Sequence, residues 1–250
     1  MDLDDERDSR RRSYRLSGIG FSIYAFSLTV SSVLSVGMLY LIFSGQVPDF
    51  ARLLGIDHFR FYFGAFRVWT RLVAAFFLCA AWSEVPWRRR SGFLVVLTLA
   101  DVVLWAVENG ESLGLTLGPP GHEAFYSSLY MALVWPKFGL IAALAGDFNA
   151  HVGSNNAEKL TKAARGTATT GAVLWFFYFL EHIDWTGGWP LRWRPPTMNL
   201  VLFEMGTLVM STICLLQTTL LCFSAGRSAG QALREMAAEE KRFDPWSESA

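Results

Sequence analysis

Charge is scarce in this chain and sums to zero. Only 18% of the 250 residues are charged, 22 basic against 22 acidic, where a soluble domain carries about a quarter. A balanced total leaves no basic footprint of the kind nucleic-acid binding needs, and no nucleic-acid partner is expected. Cysteine is equally sparse. Cys79, Cys214 and Cys222 fall inside apolar runs, where a free thiol behaves as a small hydrophobe. Without CxxC spacing or an even set in polar loops, neither a disulfide framework nor a thiolate metal site is suggested. Catalytic signatures are missing too: there is no GxSxG, no HExxH, no phosphate-binding glycine loop and no GxGxxG opening a helix. No cofactor can be assigned and no family motif is recognised.

Apolar surface is abundant. The chain is 52% hydrophobic, with 20 Phe and 10 Trp, and several stretches approach the roughly 20 residues that a bilayer core requires. Six spans are expected, at 18–44, 61–82, 92–107, 124–146, about 168–184 and 198–223. The first apolar stretch is far longer than the 7–15 residues of a signal peptide, so it reads as a retained span. Ser27, Ser31 and Ser35 recur every four residues along it, a small-residue stripe that another helix can approach closely. The fifth span is the least secure, being short and ending in Glu181, His182 and Asp184. In the fourth, Pro136 removes one backbone bond and frees the carbonyl of Ala132. The expected organisation is a charged tail at 1–16, a six-span domain at 17–224 and a second charged tail at 225–250. Residues 45–60 suggest a short interfacial helix, and 147–167 a polar loop. The fold class is all-α, a polytopic membrane bundle of about six transmembrane helices.

Basic residues orient the bundle. With the N-terminus in the cytoplasm, the inside segments hold the clusters at Arg7–Arg15, Arg88–Arg90, Lys159–Arg165 and Arg227–Arg242, which together carry fifteen of the 22 basic side chains. The outside loops hold only Arg52, Arg60, Arg192 and Arg194. This asymmetry puts both termini in the cytoplasm, and a bacterial inner membrane is the expected location. The basic clusters also suit anionic lipid. Partners are then the bilayer itself and, for a subunit of a complex, other membrane proteins.

Seven charged side chains fall within or at the ends of the spans: Arg67, Arg71, Asp101, Glu108, Lys137, Glu181 and Glu204. Ionised groups at that depth are costly unless they meet a partner or water. At about 1.5 Å per residue, Arg67 and Arg71 lie roughly 8 and 14 Å below the outer surface, with Asp101 near the level of Arg71. An Arg71–Asp101 pair is the leading expectation, with Glu108 in reach of Arg67 and Glu204 as the surplus acid. Lys137 has no evident partner; Asp147 and the region of the Pro136-freed carbonyl are the candidates. Nothing accompanies it to support a retinal Schiff base. Three of the four histidines, His58, His122 and His182, gather with carboxylates at the outer surface. They are candidate ligands for zinc or non-haem iron, although their spacing matches no local motif.

Three functions fit. A helical subunit or scaffold of a membrane complex would use the charges as internal struts, which pin helices in register. A small-solute, ion or proton handler would use an outward polar cavity at Arg67, Arg71, Asp101 and Glu204. A membrane-embedded enzyme would act on a lipid or quinone at the outer interface through the histidines and carboxylates.

Overall fold

The computed structural model describes residues 3–44, 56–110, 123–153, 157–184, 192–193 and 198–243. Within them lie six helices: α1 (Leu3–Ser44), α2 (Ile56–Ala81), α3 (Val85–Glu108), α4 (Glu123–His151), α5 (Ala157–His182) and α6 (Met198–Phe243). Two short strands, β1 (Ile183–Asp184) and β2 (Arg192–Trp193), pair antiparallel between α5 and α6.

Apolar sequence of this length forms helices in a bilayer because every backbone group must then be satisfied within its own segment. By length and composition five helices can cross a membrane, with spans at Asp5–Leu41, Phe61–Ala81, Val85–Glu108, Leu129–His151 and Met205–Glu240. The helix outside that set is α5. Its first turns carry Glu158, Lys159, Lys162 and Arg165, and its apolar part begins only near Ala168. Pro86 sits in the first turn of α3, after Glu84 in extended conformation, where its missing N–H would have had no partner anyway. Pro136 lies inside α4 without ending it.

Each helix runs antiparallel to the one before it. Trp82 donates from Nε1 to Ser17 Oγ at 2.8 Å while Arg71 reaches Ser27 and Ser31, so α2 descends as α1 climbs. Trp87 donates to the Leu78 carbonyl at 2.8 Å, and Trp105 meets Phe61 with ring centroids 5.3 Å apart, which sets α3 against α2. Arg90 pairs with Asp147, and Asp101 with Lys137, which sets α4 against α3. Cys214 lies beside the Ala164 carbonyl, and the Phe177 and Phe203 rings stack at 6.2 Å, so α5 and α6 run opposed over their whole shared length. Finally α6 returns beside α1. A Cβ built on Gly18 would lie 3.1 Å from that of Ala229, Ser32 faces Thr219 at 3.5 Å and Ser35 faces Thr212 at 2.6 Å. The first and last helices therefore close the ring, and the start of α1 and the end of α6 lie together: Arg11 is 3.6 Å from Glu240.

The core combines large side chains such as Phe21, Trp87, Leu94 and Phe148 with many small and polar ones, under an apolar exterior. Small and polar residues are buried, among them Ala25, Ala74, Ala142, Ala225, Ser17 and Thr98, while Phe26, Val33, Phe76, Val103, Leu202 and Leu220 are exposed. On α2 the exposed Tyr62, Trp69, Val73 and Phe76 form one stripe. Lipid tails are as apolar as these side chains, so close backbone approach and hydrogen bonds hold the helices rather than hydrophobic burial. Hydroxyls inside the bundle return to the carbonyl one turn back, as Thr98 does to Leu94 at 2.7 Å and Thr218 to Cys214 at 2.7 Å.

Helix extends further than the sequence reading allowed. Most of 147–167 is helical, because α4 continues to His151 and α5 begins at Ala157. Asn149 holds that extension. It is fully buried, donates to the Ala145 carbonyl at 2.8 Å, and accepts from Ser224 at 3.2 Å and Ser228 at 3.1 Å. Residues 56–60 belong to α2 rather than to a separate interfacial helix, and 45–55 lie outside the described residues.

Candidate functional site

The charged residues of α2, α3 and α4 converge inside the bundle. Asp101 and Lys137 form a salt bridge between α3 and α4, with side chains only 2% and 5% exposed. Of the five salt bridges among the described residues it is the buried one; the others sit on the surface of the charged end. Taking two ions out of water costs several kcal/mol each, so such a pair persists only with good geometry and mutual compensation. Here the compensation is incomplete. Asp101 Oδ2 takes the ammonium, while Oδ1 is buried with no hydrogen-bond partner among the described residues.

Arg71 faces α1 instead of Asp101. Its Nε donates to Ser27 Oγ at 3.3 Å and its Nη2 to Ser31 Oγ at 2.9 Å. The Ser31 hydroxyl passes its own proton to the Ser27 carbonyl at 2.9 Å, so its lone pairs are free to accept. The expected Arg71–Asp101 pair is thus replaced by two separate attachments. With α1 packed on α2, Arg71 meets the serine stripe, and Lys137 reaches Asp101 from α4. The stripe is shared between neighbours: Ser27 and Ser31 serve α2, Ser35 serves α6. Neither partner anticipated for Lys137 is used, since Asp147 is taken by Arg90.

Tyr130 connects the remaining cations. The Arg67 guanidinium lies 4.6 Å from its ring centroid and 6.0 Å from that of Phe63, and Lys137 Nζ is 5.6 Å from the Tyr130 ring. A cation within about 6 Å of an aromatic face is attracted to it, more strongly once desolvated. Arg67 makes no salt bridge within 4 Å to Glu108, which is exposed at the end of α3. Glu181 is also exposed. The side chains of Glu204, His58 and His182, and the whole of His122, lie outside the described residues. Among those that are described, no group of three His, Cys, Asp or Glu side chains could hold a metal.

The described cluster therefore holds three cations, Arg67, Arg71 and Lys137, against one buried carboxylate, Asp101. The expected near-balance with four acids is not found among the described side chains. Tyr24 sits fully buried beside this group, with its hydroxyl next to that of Thr98 on α3. Sequence reasoning missed Tyr24, Thr98 and Tyr130. Two of them carried a signal, since Thr98 lies three residues before Asp101 and Tyr130 seven before Lys137, each on the same helical face as the charge.

Chemically, the arrangement ties four helices together, and among the described side chains three cations face one buried carboxylate. Comparison of the chain with protein-family models, with curated proteins and with solved structures returned no match, so its functional reading rests on this geometry.

Proposed function

We propose that this chain is a multi-pass membrane protein of six crossings that serves as a helical subunit or scaffold of a membrane complex, with its charged side chains as internal struts. The supporting observation is the Asp101–Lys137 bridge between α3 and α4 beside the Arg71 attachment of α2 to the α1 serines. Deep polar groups that bind one another fix helix register. Counting α5 as a crossing is supported by its antiparallel packing between α4 and α6 and by the meeting of Arg11 with Glu240. The charged end is assigned to the cytoplasm by its arginine and lysine clusters, with a bacterial inner membrane as the setting.

The strut reading is tested by exchanging the ion pair for apolar residues. Asp101→Leu with Lys137→Met is expected to assemble and melt close to wild type, while either change alone is strongly destabilising. A double variant that fails as badly as the single ones overturns it.

The three cations against one buried carboxylate among the described side chains favour a second reading, in which the cluster draws a small anionic solute in from the outer side. Anion uptake into proteoliposomes that disappears in Arg67→Gln, with melting unchanged, supports it. Wild-type protein without uptake leaves the scaffold reading alone.

A further inference from the structure

The seam between the first and last helices is open where they leave the membrane. Gly18 approaches Ala229 closely, but next to this contact lies a groove of about 450 Å³ between Ser22 of α1 and Phe223, Gly226, Arg227, Gly230 and Arg234 of α6. A second groove, of about 460 Å³, is lined by Arg11, Arg12 and Arg15 together with Asp8 and Leu233.

Three features give the first groove a chemistry. On α6, positions 223, 227, 230 and 234 fall on one helical face, and that face changes character along its length. Leu216, Leu220 and Phe223 are exposed and apolar; Arg227 and Arg234 are exposed and basic. Beside the Gly18–Ala229 contact, Trp82 and Tyr14 meet edge to face at 5.4 Å and Trp82 bonds Ser17, an aromatic pair of the kind that gathers at membrane interfaces. The floor is open at Gly230, where an added Cβ would meet nothing within 4 Å. The rim charges are uncommitted as well, since neither Arg227 nor Arg234 takes part in a salt bridge among the described residues.

We propose that this groove binds one anionic glycerophospholipid of the cytoplasmic leaflet, its phosphate between Arg227 and Arg234 and its acyl chain along Phe223, Leu220 and Leu216. Guanidinium groups suit phosphate because their paired N–H donors match its oxygens. A zwitterionic headgroup would bring its own cation to an already basic rim, which sets the selectivity. The inference rests on the membrane-spanning arrangement proposed above and is independent of the struts.

The test uses full-length protein in detergent, supplemented with phosphatidylglycerol, phosphatidylcholine or inorganic phosphate, and reads retained lipid by native mass spectrometry together with the melting temperature. Wild type is expected to keep phosphatidylglycerol selectively and to melt several degrees higher with it. Arg227→Gln with Arg234→Gln should lower retention about tenfold. Gly230→Leu keeps the charges but fills the open floor; it should lose retention while melting like wild type in plain detergent. Equal retention of both lipids, or of phosphatidylglycerol by wild type and the arginine double variant, overturns the proposal. So does equal stabilisation by inorganic phosphate, which would assign the site to a free anion. A chain that stays monodisperse without detergent would refute the membrane arrangement itself, a distinguishable outcome.

Discussion

Asp101 and Lys137, 36 residues apart in sequence, meet inside the bundle as its buried ion pair. Removing one partner strands the other charge, so Asp101→Leu or Lys137→Met alone should cost about 3–5 kcal/mol. Removing both should bring stability back to within about 1 kcal/mol of wild type or above it. Denaturation in mixed micelles followed by circular dichroism measures the cycle.

Arg71 depends on two serines rather than on a carboxylate. Ser27→Ala with Ser31→Ala deletes both of its hydrogen-bond acceptors, each worth about 1.5–3 kcal/mol to a charged donor. The pair should therefore be destabilising by a few kcal/mol, far more than two serine-to-alanine changes on a lipid-facing surface. Arg71→Lys should be nearly as harmful, because an ammonium lacks the fork that spans two acceptors.

Gly171 on α5 lies against the Trp135 ring of α4, where an added Cβ would collide with it. Gly171→Ala should overpack the contact and cost about 1–3 kcal/mol. Trp135→Leu in the same chain should relieve the clash, so the double variant is expected to be more stable than the sum of the single effects. Strict additivity would show that α4 and α5 do not touch there.

The six crossings proposed above predict a labelling pattern. With the native cysteines replaced by serine, new cysteines at Ser83 and Lys159 should react with a membrane-impermeant maleimide from the cytoplasmic side. A cysteine at Asn109 should react from the opposite side. A five-crossing arrangement in which α5 stays out of the bilayer would move the end of α6 across, which a cysteine at Glu239 detects.

Lys162 donates to the exposed carboxylate of Glu158 one turn away and holds its pKa below the ordinary glutamate value. Because the folded pKa is lowered, the pair supports the first turn of α5 above the unfolded carboxylate range and loses that support as pH falls through the folded value. A carbon NMR titration should give Glu158 a lower midpoint in wild type than in Lys162→Gln. Full exposure means that neither change should move the melting temperature measurably.

The long apolar helices were legible in the sequence because bilayer thickness imposes a long apolar signal, and five of the six are long and apolar enough to cross a membrane. Partners inside the bundle were less legible. Asp101 is buried, but depth along a helix says nothing of azimuth, and it is azimuth that turns Arg71 toward Ser27 and Ser31 and leaves Asp101 to Lys137. Ends of helices were hidden for another reason. The polar composition of 147–167 reads as loop, yet Asn149 bonds to α6 serines some 75 residues later, a tertiary contact that no local pattern announces.

The separation of Asp101 from Lys137 also bears on how the protein is made. At about 5–20 residues per second, the ribosome needs roughly two to seven seconds between them, so the third helix reaches the insertion machinery before its counter-ion exists. For that interval Asp101 is held best at an aqueous seam, and a chain released before residue 137 should leave α3 only partly inserted. The last helix then arrives to find α1 waiting with its flank uncovered, and circle closure becomes the final act of biogenesis.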